Sequence, residues 1–219
     1  RHHILGRGLM HIVRNNAGNC HPVTLNKNKQ PSFISGWQMQ DTSLCDRLME
    51  WVDDPIAELT KESGPGEIGR REGLAVDTDV KDSFDRHLDY GQEVVRDYSQ
   101  YLQGCLDMYL VEFPAAGRVA EFSDVVDCGN VQRYRPKAAY HAWHTESCNK
   151  FTMHRHLVFM TYLNDVTDGG ETEFSHQKLK VKPRKGLTLI WPSDWTHEHR
   201  GVPSPTQVKY IATGWYSYM

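Results

Sequence analysis

The run Val208-Lys209-Tyr210-Ile211-Ala212-Thr213-Gly214-Trp215-Tyr216-Ser217-Tyr218 reads as a strand. β-Branched and aromatic side chains dominate it, and one charged residue, Lys209, interrupts it. Working back from it, similar short apolar or alternating runs cover Val131 to Tyr134, His156 to Leu163, Lys178 to Val181 and Leu187 to Trp191. Turn signals lie between some of them, Thr167-Asp168-Gly169-Gly170 and Lys182-Pro183-Arg184-Lys185-Gly186. Many short strands at close spacing predict a sandwich or barrel rather than alternating βαβ units.

The texture upstream is different. The first forty residues are polar and irregular, with Asn15-Asn16, Asn26-Lys27-Asn28-Lys29 and Pro31, and read as loops with a strand or two. Thr42 or Ser43 is placed to cap a helix running to about Asp54, with Leu44, Leu48, Trp51 and Val52 on one face. Ser63-Gly64-Pro65-Gly66 reads as a loop, and the charged, Gly-containing stretch from Glu67 to Asp82 as an excursion beside the site. A second helix is expected from about Phe84 or Gly91 to Leu110, ended by Pro114 and Gly117. Its stripe of Val94, Tyr98, Tyr101, Leu102, Cys105 and Tyr109 is read as core packing. The expected fold is mainly β with N-terminal helices. Residues 1–119 supply loops and bracing helices, and residues 120–219 a double-sheet jelly-roll core of the same domain.

With 219 residues, 39% hydrophobic and 24% charged, the chain has enough apolar material for one domain with a sizeable core. A formal net charge of -3 argues against a nucleic-acid partner, which a basic surface would suit better. No apolar run approaches the roughly 20 residues of a membrane span, and no leader pattern opens the chain, so a cytoplasmic location is expected. The start, Arg1 to Met10, is given no functional weight. Cys20, Cys45, Cys105, Cys128 and Cys148 are odd in number, scattered, and form no C-x-x-C pair. That pattern argues against a disulfide framework or a cysteine zinc site. Cys148, two residues past Glu146, is assigned no role.

The chemistry centres on His144-Thr145-Glu146 and, far downstream, His199. Residues two apart on a strand share a face, so His144 and Glu146 can converge on one ion, and a distant strand can supply a third ligand. Two imidazoles and one carboxylate on one face of an octahedron leave three positions open, as in non-haem Fe(II) oxygenases. Among twelve histidines an H-x-E pair is a weak signal by itself, and two solvent-facing strand residues read the same. Lys209, ten residues after His199, adds to it. A lysine in so apolar a run is costly unless it is paired or reaches water. An edge-strand lysine satisfies the second condition, and a carboxylate ligand satisfies the first.

The motifs Tyr134-Arg135-Pro136 through Tyr140, Trp143-His144-Thr145-Glu146, Tyr162-Leu163-Asn164, Gly169-Gly170-Glu171-Thr172-Glu173-Phe174, Pro183-Arg184-Lys185-Gly186, His199-Arg200-Gly201-Val202-Pro203 and Lys209 through Trp215 occur in that order. Over about residues 130 to 216 the chain resembles the catalytic domain of prolyl 4-hydroxylase-type 2-oxoglutarate/Fe(II) dioxygenases. The resemblance implies a double-stranded β-helix braced by N-terminal helices. It implies Fe(II), 2-oxoglutarate and O2, and admits ascorbate. It makes His144, Glu146 and His199 the metal ligands, and puts Lys209 on the far carboxylate of 2-oxoglutarate. Tyr134 is the matching candidate to hold the same carboxylate, while Tyr140, nearer the metal motif, faces co-substrate or substrate. An ordinary core aromatic fits either tyrosine as well. His197 is the alternative third ligand, and the His-x-Gly-x-Pro pattern and the ten-residue step to Lys209 select His199. Asp194, Trp195 and Glu198 are expected to rim the pocket. The implied reaction yields succinate, CO2 and a hydroxylated prolyl or other residue of a peptide, or a free amino acid.

Three residues depart from the family pattern. Glu146 stands where aspartate is usual, the step from Tyr134 to His144 is one residue longer, and Val158 stands where a threonine often assists co-substrate binding. Two other classes of reading suit the same residues, a β-helix binding module without chemistry and a Zn(II) cupin-like protein.

Overall fold

The computed structural model describes residues 19–25, 32–55, 63–70, 73–119, 121–122 and 127–219. The polar opening as far as residue 18, the Asn26–Lys29 stretch and Pro31, all read as loops, lie outside the described residues. Along the chain come β1 (Cys20–Val23), β2 (Ser35–Met39), α1 (Ser43–Val52), β3 (Ser63–Pro65), β4 (Glu67–Arg70), β5 (Gly73–Val76), β6 (Phe84–His87) and α2 (Glu93–Glu112). They continue with β7 (Asp127–Tyr134), β8 (Arg155–Tyr162), β9 (Thr172–Phe174), β10 (Leu179–Val181), β11 (Leu187–Pro192), β12 (His199–Gly201) and β13 (Lys209–Ser217). The fold is mainly β with few helices. Its main element is an eight-stranded sheet in the order β1-β2-β11-β8-β13-β7-β6-β3, antiparallel at every pairing. A three-stranded sheet, β10-β9-β12, and a β4–β5 hairpin accompany it.

The two-residue period of the strands splits the core into two clusters. On one face Leu157, Phe159, Ile190, Ala212 and Tyr216 pack against Leu48 and Val52 of α1 and Val95, Tyr98, Leu102 and Leu106 of α2. On the other, Tyr134, Val158, Met160, Tyr162, Leu189, Trp191 and Ile211 pack against Phe174 and Val181 of the small sheet. β8 therefore has both faces covered, which is why His156 to Leu163 is nearly continuous in apolar residues instead of alternating. Tyr98 and Tyr101 do more than fill space. Tyr98 donates to Thr161 (2.8 Å), Tyr101 meets Thr188 (3.0 Å), and the two threonines join at 2.7 Å. This buried hydroxyl chain satisfies every member and fixes α2 over β8 and β11.

Two expectations change. Phe84 to His87 is a strand, and the helix begins at Glu93. Both faces of β6 carry charge: Asp85 faces Lys81 and Gln132, while Arg86 donates to the Trp51 carbonyl and lies over its ring. Such a strand has no apolar alternation to betray it. Ser63 to Pro65 pairs with β6 as an edge strand, a position that tolerates a residue without an N–H. Within Glu67 to Asp82 the β4–β5 hairpin leaves Leu74 and Val76 exposed.

Gly169 and Gly170 both take left-handed backbone angles, φ +77° and +78°. A Cβ on Gly169 would come within 2.5 Å of the Pro203 carbonyl oxygen. Gly169→Ala is expected to cost about 1–3 kcal/mol of stability, from strain and that clash together. Urea denaturation should show a lower midpoint with an unchanged slope.

Candidate metal centre

The β7–β8 connection meets the small sheet through one isolated bridge. His144 N donates to His199 O and His199 N to His144 O, both at 3.0 Å. Glu146 N and Ser147 N donate to Ser193 O at 3.2 and 3.0 Å, just past β11. His144 and Glu146 are thus not on a continuous strand. Two sets of backbone hydrogen bonds nevertheless turn both side chains toward β12.

Each imidazole is fixed by the same device. His144 Nδ1 lies 2.9 Å from Ala142 O, and His199 Nδ1 2.9 Å from His197 O. A carbonyl only accepts, so each Nδ1 carries a proton and each ring turns its Nε2 edge away from that carbonyl. Those Nε2 atoms lie 3.6 and 3.5 Å from the same oxygen, Glu146 Oε1. The three ligand atoms fall within 4.8 Å of one another. Cis ligands about 2.1 Å from one ion stand about 3 Å apart, so small side-chain adjustments bring this set around a divalent cation. The hydrogen-bonded Nδ1 partners are the outer-shell contacts that metal-binding histidines commonly make.

The surroundings are aromatic. The Tyr140 ring stacks on His144, with centroids 3.6 Å apart and planes at 8°. Trp191 and Phe174 flank His199 at 5.2 and 5.7 Å. Burial, and then the neighbouring His199, hold the His144 ring below its usual pKa, which favours the neutral form that binds metal. Burial pushes the Glu146 carboxyl up, but the two facing imidazoles outweigh it and hold the carboxyl well below the usual range.

His197 does not join this group. Its Nε2 meets Ser32 O at 3.0 Å and its Nδ1 meets Thr196 Oγ1 at 2.9 Å. Lys209 is buried on the inner face of β13, where its Nζ donates to Gly170 O at 3.1 Å and lies 5.2 Å from the Tyr134 ring centre. An ammonium has three donors, and that carbonyl takes one. Burial lowers its pKa to about 8, partly offset by Glu171. Tyr134 is buried and donates to Gln132 Oε1 at 2.6 Å. Val158 sits opposite both Trp191 and Trp215 in the sheet register and offers no hydroxyl. Tyr162, nearby on the same face, donates to Thr172 Oγ1 at 2.7 Å. Of the expected rim residues, Trp195 is exposed, and Glu198 accepts from Ser175 Oγ at 2.9 Å.

Sequence reasoning missed two groups. Arg155, at the start of β8, reaches Glu146 Oε2 at 3.2 Å. Lys81, buried, pairs with Asp85 at 2.5 Å, and Gln132 joins Asp85 to Tyr134. No motif marks either, because both depend on contacts between separate elements.

The family model described as the 2OG-Fe(II) oxygenase superfamily matches residues 129–217. A probable prolyl 4-hydroxylase 9 of Arabidopsis thaliana is 35% identical over a 79-residue alignment covering 26% of this chain and 27% of that protein. The chain spans about a quarter of the length of the curated relatives it matches. Among solved structures, a viral collagen prolyl hydroxylase of Paramecium Bursaria Chlorella virus-1, in its 2OG complex, superposes with a TM-score of 0.61. Its identity is 20%, over 85% of this chain and 97% of that one. A prolyl hydroxylase of Trichoplax adhaerens, bound to a hypoxia inducible factor oxygen degradation domain peptide fragment, gives 0.65 at 16% identity over 85% and 84%. At these identities the likeness is one of fold.

Titration with Fe(II) or Co(II) should give one site per chain. His144→Ala and His199→Ala should each abolish tight binding, and Glu146→Ala should weaken it sharply. His197→Ala should keep the stoichiometry and lower only the melting temperature. Loss of the site in His197→Ala with retention in His199→Ala would reverse the assignment.

Proposed function

We propose that this chain, whose residues 129–217 match the model of the 2OG-Fe(II) oxygenase superfamily, is an Fe(II)- and 2-oxoglutarate-dependent dioxygenase of prolyl 4-hydroxylase type. We read its two sheets, closed over the apolar cluster between them, as a double-stranded β-helix. Its substrate in this reading is a prolyl or other residue of a peptide, or a free amino acid. The observation that carries the reading is the convergence of two Nε2 atoms and one carboxylate oxygen on a single, half-buried point.

His144 Nε2, His199 Nε2 and Glu146 Oε1 would hold the metal. Three ligands on one side fit a centre that keeps positions open for exchangeable partners. With 2-oxoglutarate and O2, Fe(II) at such a centre supplies an oxidative decarboxylation, in which one oxygen atom enters succinate and the other a C–H bond of the substrate. The chain's own residues do the positioning. Lys209, with donors to spare on a buried ammonium, offers the cation for the far carboxylate, and Tyr134 walls that pocket. Tyr140 holds the His144 ring in plane and borders the substrate side. Trp191 and Phe174 keep water from the ligand set. The peptide found on the Trichoplax protein supports a peptide substrate here.

The test is succinate formation from 2-oxoglutarate with Fe(II), stimulated by a proline-containing peptide or by free proline. A metal-loaded protein that leaves 2-oxoglutarate unconsumed with every such substrate would move the reading to a binding module.

Lys209→Met keeps the stem and removes the charge. It should raise the apparent dissociation constant for 2-oxoglutarate about ten- to a hundredfold, the equivalent of one charge-assisted contact, while metal affinity stays constant.

The depressed pKa of Lys209 sets a pH dependence. Below about 8 the side chain is a cation ready to meet the co-substrate, and above it the free protein increasingly presents a neutral amine. Co-substrate affinity should therefore fall as pH rises from 7 to 9 in the parent protein and stay flat in Lys209→Met, measured by anaerobic titration.

A further inference from the structure

The extra methylene of Glu146 needs a physical account. A glutamate has one more rotatable bond than an aspartate and loses more rotamer freedom when it is fixed. A ligand carboxylate on a longer stem is also less well aimed. Beside it the structure holds a clamp that sequence reading did not find. Glu146 divides its oxygens: Oε1 faces the two imidazoles, and Oε2 accepts from Arg155 Nη1 at 3.2 Å. The same Nη1 reaches the Glu146 backbone carbonyl at 3.1 Å. The guanidinium carbon lies 3.4 Å above the Trp215 ring centre, a close cation–π seat that restricts the arginine in turn. Ser193 ties the two backbones together. Its Oγ donates to Arg155 O at 2.6 Å, and its carbonyl accepts from Glu146 N at 3.2 Å.

We propose that Arg155, seated on Trp215, is a positioning residue for the metal-binding carboxylate, holding Glu146 as a one-oxygen ligand and taking up the length by which it exceeds an aspartate. The proposal rests on the metal reading of the triad. Two effects of Arg155 oppose each other at a divalent ion. Its charge repels the ion, while its Nη1, aimed by the stacked guanidinium, orients the ligand. A planar guanidinium that stacks on an aromatic ring and a point-charge ammonium are not equivalent, and the difference separates the two effects. Arg155→Lys keeps the charge, hence the repulsion, and removes the shaped contact to Oε2. Any loss of metal affinity in that variant is then a loss of positioning.

The experiment is Co(II) titration of the full chain, followed by the visible absorption of the bound ion, with Arg155→Lys, Glu146→Asp and the double variant. Outer-shell changes commonly cost about 10–100-fold in metal affinity. Arg155→Lys should fall in that range and alter the Co(II) spectrum, with Trp215→Leu moving both readouts in the same direction. In the Glu146→Asp background the carboxylate is too short to use the clamp, so Arg155→Lys should cost less than about threefold there, a coupling that a general loss of stability does not produce. Parent-like affinity and spectrum in Arg155→Lys, or the same loss in both backgrounds, would overturn the proposal. A parent protein that fails to bind Co(II) overturns the metal reading itself, which is a distinct result.

Discussion

Two reciprocal backbone hydrogen bonds between His144 and His199, 3.0 Å each, join parts of the chain more than fifty residues apart and set everything around them. They hold the β7–β8 connection against the small sheet and fix how far apart the two rings can lie. Each ring keeps two side-chain rotations, and a backbone carbonyl on each Nδ1 restricts them. The ligand set is therefore built by main-chain geometry, with the side chains following. A constellation assembled this way costs little reorganisation when an ion enters, which is the condition under which modest ligand groups bind metals well.

That bridge stands only because the large sheet does not move behind it. β8, β11 and β13 are covered on one face by α1 and α2 and on the other by the cluster around Phe174 and Trp191. A one-residue slip in β8 would send Met160 and Tyr162 to the helices and Phe159 and Thr161 to the site. The hydroxyl chain from Tyr98 through Thr161 and Thr188 to Tyr101 resists such a slip, since it would break the bonds of Thr161 to Tyr98 and to Thr188 in the core.

What the sequence made legible follows the same division. β7, β8, β10, β11 and β13 show as short apolar or alternating runs between turn signals, and α2 as apolar residues at helical spacing. The residues proposed as ligands stand out because H-x-E, His199 and Lys209 occur in a recognisable order. β6 does not show, since Asp85 and Arg86 put charge on both its faces and Phe84 is its one apolar residue. β3 hides behind Ser63-Gly64-Pro65, a turn-like run that serves at an edge. Arg155 is one arginine among many until β8 brings it beside Glu146 and onto Trp215. These features share a cause. Each is a polar pairing between distant elements, and hydrophobic periodicity carries no record of a partner's position.

The two buried lysines make the last distinction. Both are 5% exposed. Lys81 meets the Asp85 carboxylate at 2.5 Å, within a group that also ties in Ser83 and Gln132. Its charge is matched, so its burial is structural, and it braces the side of the site that leads to Tyr134. Lys209 meets a carbonyl and an aromatic face, and burial draws its pKa to about 8. A carbonyl dipole offsets less of the desolvation of an ammonium than a carboxylate does. Two lysines, equally buried on one scaffold, thus differ in what remains to be satisfied. An anion bound beside Lys209 would recover the cost that the fold alone leaves in place, and its binding energy would include that recovery. The carboxylate end of a dicarboxylic co-substrate is an anion of the required kind, and Lys81, already paired, competes for it weakly.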